Sequence, residues 1–74
     1  MKLFEGLEII NENSFLSLID YNGRSTYSIY SEDQKLLDAI ELELSSLNSS
    51  FEVGMMFNEL AAKNGLEVTI WSLR

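Results

Sequence analysis

The stretch SFLSLIDYNGRSTYSIYS, residues Ser14 to Ser31, decides how this chain folds. Asn22-Gly23 sits at its midpoint between two runs of apolar, aromatic and hydroxyl residues, which is the strongest short-range hairpin signal. A two-residue type I′ loop predicts Tyr21 facing Arg24, Ile19 facing Thr26, Leu18 facing Tyr27, Leu16 facing Ile29 and Phe15 facing Tyr30. Side chains alternate between the two faces of a strand. Leu16, Leu18, Tyr27 and Ile29 therefore share a face whose centre is wholly apolar, and this is the predicted core face. Phe15, Ile19, Tyr21 and Tyr30 share the other face with Ser17, Arg24, Thr26 and Ser28.

Toward the N-terminus, residues 3–13 fit two patterns. Leu7 to Ile10 suit a short strand, whereas Leu3, Phe4, Leu7 and Ile10 fall on one helical face. Gly6 would weaken a helix by about 1 kcal/mol relative to Ala, which favours a strand closed by a three-residue loop, Asn11-Glu12-Asn13.

Toward the C-terminus, Ser31-Glu32-Asp33-Gln34 matches a capping box and predicts a helix from about residue 32 to 47. Leu36, Leu37, Ile40, Leu44 and Leu47 make its apolar stripe. Asp38 and Glu41 lie beyond one edge of that stripe, and Leu42 points opposite to it. Five acids and one Lys give this segment a net charge of −4. Ser49 with Glu52 predicts a second cap, followed by a stripe of Val53, Met56, Phe57, Leu60 and Asn64 with Ala61 at its edge. Asn64-Gly65 ends the second helix, with Gly65 as the left-handed residue. Leu66 to Leu73 alternate as a last strand, with Leu66, Val68 and Ile70 on one face and Glu67, Thr69, Trp71 and Leu73 on the other.

The order β-β-β-α-α-β predicts one acidic α+β domain over residues 1–74. Its form is a small two-layer sandwich: an antiparallel sheet of about four strands with two helices packed on one face. The last strand can pair with either outer strand of the meander, giving the order 4-1-2-3 or 1-2-3-4. The predicted core is Leu16, Leu18, Tyr27, Ile29, Leu37, Ile40, Leu44, Met56, Phe57, Leu60, Val68 and Ile70.

Composition narrows the chemistry more than any motif does. The 74 residues contain no Cys and no His, which removes disulfides, the usual zinc, haem and iron–sulfur ligands, and Ser-His or Cys-His nucleophiles. Asp38 and Glu41 are one helical turn apart, but acids on an amphipathic helix are ordinarily solvated. Asp20-Tyr21-Asn22-Gly23 resembles the start of a calcium loop without its later acidic ligands, so no metal and no cofactor is expected. The four glycines are scattered and form no phosphate cradle. The expectation is a non-enzyme.

A net charge of −7, from 12 acids against 5 bases, disfavours direct contact with nucleic acid or an anionic membrane and favours a basic partner protein. The longest apolar runs are too short for a membrane span and the N-terminus lacks the apolar region of a signal peptide, so the expected location is cytoplasmic. Size, charge and missing catalytic chemistry are those of phage counter-defence (anti-CRISPR-like) inhibitors, antitoxins and toxin-immunity proteins, by analogy of type alone. The expectation is therefore an inhibitor that occupies a basic, nucleic-acid-handling partner. The alternative is a self-associating accessory subunit, a homodimer through the aromatic sheet face. The candidate partner-binding residues are Asp38, Glu41 and Leu42 on the acidic helix, and Phe15, Tyr21, Tyr30 and Trp71 on the sheet.

Overall fold

Four antiparallel strands open the chain in the computed structural model, which describes residues 2–72 and the side chains of residues 4–71. They are β1 (Lys2–Phe4), β2 (Leu7–Glu12), β3 (Phe15–Asp20) and β4 (Ser25–Tyr30). Two helices follow, α1 (Gln34–Ser45) and α2 (Ser50–Lys63), and then β5 (Thr69–Ser72). The predicted α+β order β-β-β-α-α-β is present as β2-β3-β4-α1-α2-β5. Residues 2–4 add a short edge strand, so the sheet runs β1-β2-β3-β4-β5. That strand explains which of the two predicted orders is adopted. By turning back through Glu5-Gly6 it takes the free edge of β2, and β5 pairs with β4 instead. Gly6 is a turn residue at φ 78°, which settles residues 3–10 as strand–turn–strand rather than helix.

The central register is as predicted, with Ile19 opposite Thr26, Leu18 opposite Tyr27, Leu16 opposite Ile29 and Phe15 opposite Tyr30. The turn is different. Asp20 and Ser25 also pair, and Tyr21 to Arg24 form a four-residue loop in which Arg24, at φ 57°, takes the left-handed conformation. The Asp20 carboxylate closes this loop by accepting from the Asn22 and Gly23 amides at 3.0 and 2.9 Å. A side chain at Gly23 would collide with that carboxylate. The type I′ pattern belongs instead to Asn13-Ser14, at φ 54° and 67°, so the expected loop Asn11-Glu12-Asn13 is corrected: Asn11 and Glu12 are strand residues.

Ser31 is not the helix cap. Its Oγ accepts from the Asp33 amide, and Asp33 caps α1 by accepting from the Leu36 amide at 3.2 Å. The helix consequently spans 34–45 rather than 32–47, with Glu32 and Asp33 ahead of it. The cap of α2 is as predicted: Ser49 Oγ accepts from the Glu52 amide. At its end, Leu66 N–H donates to Ala61 C=O and Gly65 N–H to Ala62 C=O, a Schellman closure with Gly65 at φ 68°.

The core lies between the sheet and the helices. Leu16, Leu18, Ile29, Leu37, Ile40, Leu44, Phe57 and Leu60 are buried as predicted, joined by Leu7, Ile9, Val53 and Ala61. Tyr27, Met56 and Val68 are partly buried against them. Ile70 is a correction. It faces the helix side opposite Tyr27, but α1 packs on β2 and β3, and on the edge strand β5 Ile70 remains 64% exposed. Leu73 lies outside the described residues. No helix among the described residues is long and apolar enough to cross a membrane.

Candidate functional site

The face of the sheet turned away from the helices is built by alternation. With Leu7, Ile9, Leu16, Leu18 and Ile29 inward, the residues that alternate with them point outward in three rows across the strands. One row is Glu8, Ile19, Thr26 and Trp71; the next is Ile10, Ser17, Ser28 and Thr69; the last is Glu12, Phe15 and Tyr30. The middle row is low at its centre, where Ser17 Oγ and Ser28 Oγ hydrogen-bond at 2.8 Å. The Phe15 and Tyr30 rings pack in a tilted pair along one side, centroids 5.2 Å apart and planes at 60°. A depression of about 260 Å³ is lined by Ile10, Glu12, Phe15, Ser17, Ile19 and Thr26. Phe15, Tyr30 and Trp71 are all exposed large side chains.

Tyr21 joins this face at its rim. It lies in the loop rather than opposite Arg24, its amide donates to Gly6 C=O at 2.9 Å, and its phenol donates to Glu8 Oε1 at 2.7 Å. The carboxylate accepting that proton raises the Tyr21 pKa above the usual 10.0, with smaller contributions from desolvation and charge. Since the neutral phenol is the favoured form, Glu8→Gln is expected to move its ionisation back down, as followed by ultraviolet absorbance. An unchanged titration would show that the bond to Glu8 does not persist in solution.

Asp38 and Glu41 occupy a different place. Asn11 Nδ2 donates to Asp38 Oδ1 at 2.9 Å and to Glu41 Oε1 at 2.8 Å. Gln34 Nε2 donates to Asn11 Oδ1 and to Asp38 Oδ1, both at 2.8 Å. These bonds tie the flank of α1 to the end of β2. Leu42 points away from the core at 75% exposure. The seven candidate residues lie on two separate surfaces. Phe15, Tyr21, Tyr30 and Trp71 gather on the sheet side; Asp38, Glu41 and Leu42 belong to the helix layer of a molecule 20 Å thick along its short axis.

Sequence reasoning missed Asn11, Glu8, Ile10 and Glu12. Asn11 was hidden by the misplaced loop. The other three follow once Leu7 and Ile9 are inward, because period-two alternation then turns their neighbours outward. Neither a protein-family model nor a curated protein nor a solved structure matches the chain.

Proposed function

We propose that this chain is a non-catalytic inhibitor that docks through its outer sheet face onto a basic partner and blocks that partner's handling of nucleic acid in the cytoplasm. The observation that supports this most is the mixture on one face: exposed Phe15, Tyr30 and Trp71 beside the carboxylates Glu8 and Glu12. Arginine and lysine side chains are attracted to both, lying over aromatic rings while donating to carboxylates. The overall charge of −7 adds attraction at longer range. A second reading uses α1, where Leu42 stands exposed on a helix whose Asp38 and Glu41 carboxylates are held by Asn11.

Affinity capture from the source cell, followed by mass spectrometry, tests the proposal. The expected result is a nucleic-acid-binding protein, released by raised salt, whose nucleic-acid binding the added chain blocks. Charges are screened beyond about 10 Å at 0.1 M salt, so binding that ignores salt contradicts the proposal. Trp71 is the single tryptophan and reports on the surface used. Its fluorescence changes with the purified partner if the sheet face docks, and stays constant if α1 does.

A further inference from the structure

A second apolar surface lies on the helix layer. Phe51, Gly54, Met55 and Asn58 recur at i, i+3, i+4 and i+7 on α2, so they share one side of the helix. That side is not the one that buries Val53, Phe57, Leu60 and Ala61. Phe51 is 73% exposed and Met55 is also exposed. The stripe borders an open cavity of about 330 Å³ whose lining includes Leu18, Tyr27, Phe57 and Asn58. On a chain with 12 acids, neither the stripe nor this cavity carries a charged side chain. A neighbouring depression on the far side of Phe51 has one, Asp20, already accepting from two loop amides.

Gly54 is an independent observation. Glycine inside a helix is destabilising, yet a Cβ here would meet nothing within 4 Å and the backbone is not left-handed. Packing within one molecule gives no reason for it. Close approach of another surface does.

We infer that α2 is the contact between two copies of this chain, its stripe packed antiparallel on the same stripe of the partner copy. A two-fold axis between Gly54 and Met55 sets Phe51 of one copy opposite Asn58 of the other, and Asn58 lines the cavity. Each Phe51 thus enters the partner's cavity, and one patch supplies both the knob and the socket, as an isologous interface requires. Charge selects the occupant. A basic partner gains nothing from an uncharged face, whereas two copies each carrying −7 repel wherever acids meet and can approach most closely here. A standard interface takes about 800 Å² from each partner. That is about one sixth of the 4904 Å² surface. The outer sheet faces stay free in this dimer, so the inference does not rest on the proposed inhibitor role.

Sedimentation velocity across a wide concentration range tests it, using the parent, Phe51→Asp and Phe15→Ser. Phe51 is the second residue of α2, where a carboxylate suits the helix N-terminus, so the circular dichroism spectrum is expected to stay parental. The parent should dimerise, Phe15→Ser should match it, and Phe51→Asp should weaken the dimer by at least roughly 30-fold. With no native cysteine, Met55→Cys should also form an interchain disulfide on mild oxidation, because the axis brings the two positions together. A parent that stays monomeric at every concentration overturns the inference. So does a dimer that survives Phe51→Asp but is lost in Phe15→Ser, which would place the contact on the sheet.

Discussion

Leu44→Ala is expected to lower the melting temperature sharply and, at the upper end of its cost, to unfold a large fraction of the protein at room temperature. Leu44 is fully buried on α1, within the cluster that joins the helices to β2, β3 and β4. Removing a buried leucine side chain costs about 2–5 kcal/mol, depending on how far the surroundings close the cavity. A domain of this size has a total stability of roughly 5 kcal/mol, and without cysteines no disulfide adds to it. Each kcal/mol shifts the melting temperature of such a domain by about 4–8 °C, so a fall of at least about 8 °C is expected. Thermal melts at one fixed protein concentration measure it. Ile70→Ala is the control, because its exposed position should change stability by under about 0.5 kcal/mol. If the order is reversed, the helices cover β5 and not the strands assigned here.

The contrast between these two residues shows what hydrophobic pattern does and does not encode. Leu44, on a helix, and Ile70, on a strand, both sit on the inward side of their element. Period tells which side a residue faces, but not how far the opposite layer extends over it. Ile70 was misplaced for that reason. The N-terminal strand is the related case: β1 has three residues, too few to show alternation, yet by occupying the edge of β2 it sends β5 to β4.

Turn chemistry was readable in position but not in kind. Asn22-Gly23 marks the middle of the central loop, and a two-residue and a four-residue loop centred there give the same cross-strand partners. The register therefore survived an incorrect turn type. At Asn13-Ser14, two side-chain-bearing residues adopt the left-handed conformation, for which glycine is the usual signal. That turn moves Asn11 out of the expected loop and into β2, where it reaches Asp38 and Glu41. Ser31 and Asp33 are both good caps two residues apart, and only geometry separates them. On the candidate site, the aromatic residues of β3, β4 and β5 were legible by alternation, whereas the acids of β2 depended on a strand boundary that the sequence left open.

Phe15→Ala combined with Trp71→Ala is expected to weaken partner binding by at least roughly 30-fold. Interface energy concentrates in a few buried aromatic side chains, and truncating one such anchor costs about 2 kcal/mol or more. The pair will not be additive in general, so the single variants set only a range. Both positions are exposed in the free protein, and loss of the Phe15–Tyr30 contact costs about 0.2–1 kcal/mol of cross-strand stabilisation, which leaves the sheet folded. Glu8→Gln with Glu12→Gln should act differently, slowing association and flattening its salt dependence while dissociation changes less. Stopped-flow association and dissociation against the purified partner separate these effects. Asp38→Asn with Glu41→Gln, and Leu42→Ala, report on α1 in the same assay. Should Leu42→Ala accelerate dissociation while the aromatic pair binds with parental kinetics, contact passes through the helix layer. An inhibitor docked that way would overlie α1 and leave Trp71 in water, so the kinetics and the tryptophan signal must point to the same surface.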